Sequence, residues 1–308
     1  MATPVLIDTD MGVDDAVAVT LALYAVELQV AGIASVEGNV SLDQATANVG
    51  RLLAGLQWPT WPPVGRGLSQ PEQGPRAHHV HGSDGLGGID LKTPSDFHSG
   101  DYLSVYEKAI EQHGSDLVIL AIGPLTNLGA ILAKKPKLLG RAGRIVVMGG
   151  AVWYKGNVTP HAEFNFHRDP QAASAVLLSG LPVTVVPLDV TRQVVMDESH
   201  VAHLQRGRTR GGQLLADMIR FPLEQEIDGA RGRFMVHDAT AVGVILWPQL
   251  FMRASVAIEV TTSGPQAGQC RPKMAKSVKP TTSVVISVQA ADFMENLLEK
   301  LCQERFVV

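Results

Sequence analysis

A chain of 308 residues with 45% hydrophobic and 18% charged residues is long enough to bury a sizeable core and has the composition of a globular protein. Its net charge of −4 argues against nucleic-acid binding, and two isolated cysteines, Cys270 and Cys302, favour a reducing, cytoplasmic location. The chain lacks both a run of about 18 uninterrupted apolar residues and a basic N-terminal segment with a long apolar core, so we expect neither a membrane span nor a leader peptide.

Apolar, β-branched runs alternate with amphipathic segments from the N-terminus to about residue 190. Strands are predicted at 3–8, 30–37, 116–123, 143–150 and 181–189, and helices at 13–27, 41–56 (with Ser41 as N-cap), 101–114, 124–136 and 169–180. Continuous apolar strands between helices predict an α/β fold with an open, mostly parallel (mixed) sheet flanked by helices. The sequence has no linker or fixed-period repeat, so we expect a single domain over residues 1–308.

Polar and glycine-rich segments follow the predicted strands. Two long ones, 65–100 and 151–169, are predicted as loops and carry His, Asn and Glu rather than low-complexity filler, which favours a function. In an open α/β sheet, ligands bind beyond the carboxyl ends of the strands. Residues that follow four different strands should therefore converge on one site: 8–15, 37–39, 124–127 and those from 149 onward.

Four aspartates lie within eight residues directly after the first strand: Asp8, Asp10, Asp14 and Asp15. The helix dipole favours an acidic residue in a first helical turn by roughly 0.3–1 kcal/mol, which accounts for Asp14 or Asp15 singly. It does not account for Asp8 and Asp10 on the strand side, where closely spaced carboxylates repel one another. Hard divalent cations take several carboxylate and carbonyl oxygens as ligands. The segment therefore predicts a metal site.

The segment DTDMGVDDA, residues 8–16, resembles the N-terminal signature of the nucleoside hydrolases, the inosine–uridine-preferring N-ribohydrolases. Six further motifs extend the similarity over nearly the whole chain: EGN (37–39), HGSDGLGG (81–88), AIGPLTNL (121–128), VVMGGAV (146–152), GNVTPHAEFNFHRDPQAA (156–173) and VHDATAV (236–242). The resemblance implies a nucleoside hydrolase-like fold and hydrolysis of the N-glycosidic bond of ribonucleosides to ribose and free base. It also implies a homodimer or homotetramer.

The resemblance implies a Ca²⁺ ion at the bottom of a ribose pocket. Its implied protein ligands are the carboxylates of Asp10, Asp15 and Asp238 and the backbone carbonyl of Thr126, completed by a water and the ribose 2′- and 3′-hydroxyls. Asp10 is the implied general base for that water. Asp8 is expected to order the loop rather than to bind the ion.

Further residues match those that hold the nucleoside. The implied ribose contacts are Asp14 and Asn165 at the 2′-hydroxyl, with Asn39 close by, and Asn157 and Glu163 at the 5′-hydroxyl. His237, directly before Asp238, resembles the general acid for the departing base; otherwise it is a packed neighbour of a metal ligand. His81 matches a loop histidine near the base pocket.

The chain departs from the family pattern at Met11, where proline is common, and at Ala239 and Thr240, which replace Pro-Leu. These changes leave every implied ligand in place. The segment 221–235 contains no tyrosine, so the preferred base, whether purine, pyrimidine or nicotinamide, stays open.

Two other functions are consistent with parts of the sequence. VLIDTD also resembles the start of a Mg²⁺-dependent haloacid-dehalogenase-type phosphohydrolase, although a suitable late acidic pair is lacking and the segments TPHAEFN and VHDA would be unexplained. A non-catalytic nucleoside- or ribose-binding protein could share the same scaffold. Retention of the implied ligands favours the enzyme.

Overall fold

The computed structural model describes residues 1–70, 76–227, 229–273 and 282–303. The strands in these ranges are β1 (Thr3–Thr9), β2 (Leu28–Ser35), β3 (Val64–Arg66), β4 (Gly100–Asp101), β5 (Val118–Ala121), β6 (Arg144–Met148), β7 (Val183–Val186), β8 (Val195–Met196), β9 (Phe234–Met235), β10 (Phe251–Ser255), β11 (Ala257–Val260), β12 (Cys270–Lys273) and β13 (Thr282–Val288). The α-helices are α1 (Val13–Tyr24), α2 (Leu42–Gly55), α3 (His78–His81), α4 (Tyr102–His113), α5 (Thr126–Lys134), α6 (Phe164–Arg168), α7 (Pro170–Leu177), α8 (Leu188–Thr191), α9 (Glu198–Gly207), α10 (Arg210–Glu224), α11 (His237–Leu246) and α12 (Ala290–Leu301).

Nine of these strands form one sheet in the order β10-β13-β7-β6-β5-β1-β2-β3-β4. Neighbouring strands run parallel except at one edge, where β10 pairs antiparallel with β13. The predicted open, mostly parallel sheet is therefore confirmed. Because β1 lies in the middle, the aspartates that follow it emerge at the centre of one edge of the sheet.

The sheet is buried on both faces, which explains the continuous apolar strands. Alternate residues of β1 enter different cores: Val5 and Ile7 pack on one side and Leu6 on the other, and none of the three is exposed. On the first side α1, buried along its whole length, packs against α10, α11 and α12. An apolar helix of this kind belongs inside a protein, and here it packs against α11, the helix that begins with His237 and Asp238.

The ten predicted elements are all present, with ends shifted by a few residues, and Ser41 caps α2 by accepting a hydrogen bond from the Gln44 amide at 3.3 Å. The prediction that 151–169 is a loop was wrong in part, because α6 lies within it. Segment 65–100 contains α3, and its residues 71–75 lie outside the described part of the chain. Among the described residues, no helix is both long and apolar enough to cross a membrane.

Candidate active site

A cavity of about 260 Å³ opens at the carboxyl edge of the sheet. Eight of the residues singled out in the sequence line it: Asp14, Asn39, His81, Asn157, Glu163, Asn165, His237 and Asp238. They come from the segments after β1, β2 and β6, from α3 and from the start of α11. The polar side chains that follow separate strands are thus brought to one place.

The turn between β1 and α1 is built around the Asp15 carboxylate. Its Oδ2 accepts a hydrogen bond from the Gly12 amide at 2.8 Å, and its Oδ1 accepts one from the Thr9 hydroxyl. The amide at the start of a helix lacks an intrahelical partner, so this bond also stabilises the beginning of α1. Met11 in this turn has φ 46°, a left-handed conformation that proline cannot adopt, so methionine suits the turn of this chain.

Asp10 is held from the opposite side by the segment that follows β2. The backbone N–H of Asn39 donates to Asp10 Oδ2 at 2.7 Å. A Cβ atom at Gly38 would lie 2.0 Å from the same oxygen, so glycine is required for this close approach. Asp10 Oδ1 is buried and has no hydrogen-bond partner among the described residues, which leaves one carboxylate oxygen for a ligand.

Three buried aspartates form the tightest acidic group of the described residues: one carboxylate oxygen each of Asp14, Asp15 and Asp238 lies within 4.8 Å of the others. Burial raises the pKa of all three, and the charges of Asp14 and Asp15 raise that of Asp238 further. Burial, and next the charge of Asp15, also raises the pKa of Asp10, which stands just outside this group.

This arrangement fits a hard divalent cation. The donors are carboxylate oxygens, and the buried oxygens Asp10 Oδ1 and Asp14 Oδ1 have no hydrogen-bond partner among the described residues. Several buried carboxylates at this spacing are costly when ionised without a compensating positive charge. Because Asp14 and Asp15 follow one another in the first turn of α1, both reach Asp238; the sequence had suggested Asp14 for the sugar alone.

The predicted ligand Thr126 is the first residue of α5. Its hydroxyl donates to Asp169 Oδ2 at 2.8 Å, and Asp169 in turn caps α7 by accepting from the Ala172 amide at 2.9 Å. Thr126, Asp10 and Asp15 are absent from the residues that line the cavity. The ligand role of the Thr126 carbonyl therefore stays a prediction.

Two side chains on the wall of the cavity are fixed by the backbone. The side-chain Nδ2 of Asn165 donates to the backbone carbonyls of Ile122 at 2.9 Å and Met148 at 3.3 Å. Its side-chain oxygen, Oδ1, is left to accept from a ligand. Glu163 accepts hydrogen bonds from the amides of Gly150, Asn165 and Phe166, and burial raises its pKa.

The remaining amides lie on different sides of the cavity. Asn157 is exposed at its mouth, and its Oδ1 accepts from the Phe164 amide at 2.9 Å. Asn39 is buried, and its Nδ2 donates to Asp15 Oδ2 at 3.2 Å. Asn39 thus connects the acidic group to the cavity wall.

Two histidines, His81 and His237, line the cavity. His81 Nδ1 accepts a hydrogen bond from the Val13 amide at 3.1 Å and lies 3.7 Å from Asp14 Oδ1. Burial, and next the charge of His237, lowers the pKa of His81 to about 3, so its ring is neutral and carries its proton on Nε2. His237 begins α11 and is half-buried, with Nδ1 2.7 Å from the Thr191 hydroxyl oxygen.

Asp8 points away from the cavity into a separate buried group. The Tyr106 hydroxyl donates to its Oδ2 at 2.7 Å, and Asn127 Nδ2 donates to the same oxygen at 2.9 Å and to the Ser35 carbonyl at 3.0 Å. Burial raises the pKa of Asp8 to about 7. These contacts join β1, β2, α4 and α5, and the expectation that Asp8 orders the loop stays a prediction.

Sequence reasoning missed several partners of these residues. Thr9 and Asn127 lie within motifs that were singled out, so their position next to the aspartates was a usable signal. Tyr106 and Thr191 lie far from any motif, 98 residues from Asp8 and 46 from His237, and only the folded chain shows these two pairs.

Comparison with known proteins places the chain in a family. The model of the inosine-uridine preferring nucleoside hydrolases matches residues 5–295. Uridine nucleosidase 1 of Arabidopsis thaliana is 34% identical over 265 residues, which cover 84% of this chain and 78% of that protein. The pyrimidine-specific ribonucleoside hydrolase RihA of Salmonella schwarzengrund is 34% identical over 313 aligned positions, which cover 98% of this chain and 99% of that protein.

Solved structures show the same relationship. A purine-preferring ribonucleoside hydrolase from Gardnerella vaginalis superimposes with a TM-score of 0.90 and 29% identity, covering 97% of this chain and 98% of the other. A plant nucleoside hydrolase superimposes with a TM-score of 0.89 and 29% identity, covering 99% and 100%. The chain therefore belongs to the inosine-uridine preferring nucleoside hydrolase family and is an enzyme that hydrolyses the N-glycosidic bond of ribonucleosides.

Proposed function

We propose that the enzyme uses Ca²⁺, held by the carboxylates of Asp10, Asp15 and Asp238 and by the Thr126 carbonyl. The observation that carries this proposal is the buried group of Asp14, Asp15 and Asp238 together with the neighbouring Asp10, whose Oδ1 has no hydrogen-bond partner among the described residues. These carboxylates repel one another when they ionise without a cation. Hard cations of this kind bind carboxylate and carbonyl oxygens. When bound, Ca²⁺ would lower the pKa of a coordinated water and orient the sugar hydroxyls.

Asp10 is the proposed general base. Hydrolysis of a glycosidic bond passes through an oxocarbenium-like transition state, and a carboxylate activates water on the face opposite the leaving group. Asp10 Oδ1 has no hydrogen-bond partner among the described residues, so it can accept a proton from a water that lies beside it. Its other oxygen stays on the Asn39 amide, which keeps the carboxylate in one orientation.

The ribose lies, in this proposal, between the acidic group and the wall of the cavity. Asp14 and Asn165 hold the 2′-hydroxyl, with Asn39 beside them, while Asn157 and Glu163 hold the 5′-hydroxyl. Hydrogen bonds to the 2′-hydroxyl that strengthen in the transition state raise the rate as well as the affinity. The carboxylates also stabilise the positive charge that develops on the sugar ring.

His237 is the proposed general acid. It lines the cavity beside Asp238, and a proton from its ring would convert the departing base into a neutral leaving group. His81 is neutral and keeps a fixed N–H on Nε2, so we propose that it donates a hydrogen bond near the base and does not supply the proton.

We propose pyrimidine ribonucleosides, uridine first, as the preferred substrates. The relatives at 34% identity are named as uridine- or pyrimidine-acting enzymes, whereas the purine-preferring neighbour is 29% identical. The test is ribose release from uridine, cytidine, inosine and adenosine with Ca²⁺ present. Higher kcat/KM for the two pyrimidine nucleosides supports the proposal, and higher kcat/KM for inosine and adenosine contradicts it.

The same assay addresses the other two functions. A haloacid-dehalogenase-type enzyme would release phosphate from a generic phosphate ester, and a binding protein would release neither product. Family membership favours neither alternative.

We also propose that residues 1–308 form one domain, because a single sheet takes strands from Thr3 to Val288. A cytoplasmic location and a homodimer or homotetramer stay predictions from the sequence.

A further inference from the structure

Thr191 lies next to the proposed acid in three dimensions but belongs to none of the family motifs. It is the last residue of α8, which packs against α11, and it is not exposed. Its amide donates to the Pro187 carbonyl at 3.1 Å, and its hydroxyl oxygen lies 2.7 Å from His237 Nδ1. The hydroxyl is thus fixed by the backbone of its own helix turn against one nitrogen of the ring.

A hydroxyl can serve this nitrogen in both protonation states of the ring. It donates to Nδ1 when Nδ1 is unprotonated, and it accepts from Nδ1–H when that nitrogen carries a proton. In either arrangement Nδ1 is occupied by Thr191. With Nδ1 on Thr191, Nε2 is the nitrogen that the ring presents toward the cavity, which His237 lines.

We infer that Thr191 is a positioning residue that orients His237 so that Nε2 gives its proton to the departing base. The inference rests on the proposed function, in which His237 is the general acid. A carboxylate partner could only accept a hydrogen bond from the ring, whereas the Thr191 hydroxyl can either donate or accept one.

Protons and electrons balance in this step. The bond between C1′ and the base nitrogen breaks and its electron pair goes to the base, which takes the proton from Nε2. The ring becomes neutral with its proton on Nδ1, donated to the Thr191 hydroxyl oxygen. The water oxygen forms the new bond to C1′ and loses a proton to Asp10, so the products are ribose and neutral base.

The test compares two leaving groups in Thr191→Val and Thr191→Ser. Uracil leaves uridine with help from an acid, whereas the leaving group of 4-nitrophenyl β-D-riboside departs as a stable phenolate and needs little help. With Ca²⁺ present, we expect Thr191→Val to lower kcat for uridine by about 10–100-fold, the scale of a misplaced catalytic group. The loss for the aryl riboside should be at least tenfold smaller. Thr191→Ser keeps the hydroxyl and should recover most of the uridine activity.

Two controls make the result specific to His237. The melting temperature of each variant reports whether it is folded. The double variant Thr191→Val/His237→Ala should lose no more uridine activity than His237→Ala alone, because both changes remove the same proton transfer. Equal losses on both substrates, or additive losses in the double variant, would overturn the inference.

Failure of the inference and failure of the proposed function give different results. If His237→Ala retains the wild-type uridine turnover, the acid role of His237 falls and the role of Thr191 falls with it. If His237→Ala shows the leaving-group difference but Thr191→Val does not, the acid role stands and only the positioning role of Thr191 is wrong.

Discussion

The substitution Asp10→Asn separates the proposed chemistry of Asp10 from its structural role. Asparagine has the size of aspartate and keeps a carbonyl oxygen for the Asn39 amide, which now donates to Asp10 Oδ2 at 2.7 Å. It cannot take a proton from water. The variant should therefore fold as the wild type does and lose the proposed general base.

The size of the loss follows from that role. General-base catalysis contributes about 10²–10⁴-fold in rate, which corresponds to about 3–5 kcal/mol at 1.36 kcal/mol per tenfold. The loss should appear in kcat at saturating uridine and saturating Ca²⁺, where weaker cation binding no longer matters. Because burial and the charge of Asp15 both disfavour the ionised Asp10, the cation-free variant should melt at a temperature no lower than that of the wild type.

The assay is ribose release, with Asp43→Asn as a matched control. Asp43 is an aspartate whose side chain is 85% exposed and pairs with Arg66, so its substitution should leave kcat unchanged within about twofold, as is usual for surface changes. A kcat of Asp10→Asn within threefold of the wild-type value would refute the general-base role. A marked drop in melting temperature of the cation-free variant would refute the claim that this carboxylate is under electrostatic strain.

Three further predictions concern the cation, the fold and the sugar. The affinity for Ca²⁺ should rise with pH, because burial raises the pKa of Asp14, Asp15 and Asp238 and the cation must displace their protons; calorimetric titrations at pH 5.5 and 8 with equal affinity would contradict this. The folded pKa of Asp8, about 7, exceeds its ordinary value of 3.8, so the folded state binds more protons between these values and the contribution of Asp8 to stability falls as pH rises, by up to about 4 kcal/mol. Urea unfolding of cation-free wild type and Asp8→Asn at pH 5 and pH 8 should show the smaller pH dependence in the variant, and identical pH dependence would exclude this effect. Asn165→Ala should lower kcat/KM for uridine at least tenfold but have little further effect on 2′-deoxyuridine, since the lost contact is to the 2′-hydroxyl; equal losses on both nucleosides would assign Asn165 elsewhere.

The strands and the placement of the site could be predicted from sequence because their signals are local. Val5, Leu6 and Ile7 form a continuous apolar run since β1 is covered on both faces, and such runs are read directly. A carboxylate that follows a central strand must emerge at the carboxyl edge of the sheet. Position along the chain was therefore enough to bring Asp10 and Asn39 together.

The parts that sequence reasoning missed depend on contacts between distant segments. Helix α6 has five residues, too few for a periodic pattern, and it begins where the Glu163 side chain caps the amides of Asn165 and Phe166. The Asp8–Tyr106 and His237–Thr191 pairs join residues whose spacing carries no pattern. For the same reason, the grouping of Asp14 with Asp238 became visible only once α1 and α11 were packed together.

The central claim is that Asp10, Asp15 and Asp238 hold a divalent cation required for hydrolysis. Its most direct test is the cation dependence of ribose release. The protein is freed of metal with a chelator and assayed on uridine before and after Ca²⁺ is restored. The buried carboxylates of Asp10, Asp15 and Asp238 predict no measurable turnover without the cation and full recovery with it. Turnover of the chelator-treated protein equal to that with Ca²⁺ would contradict the account.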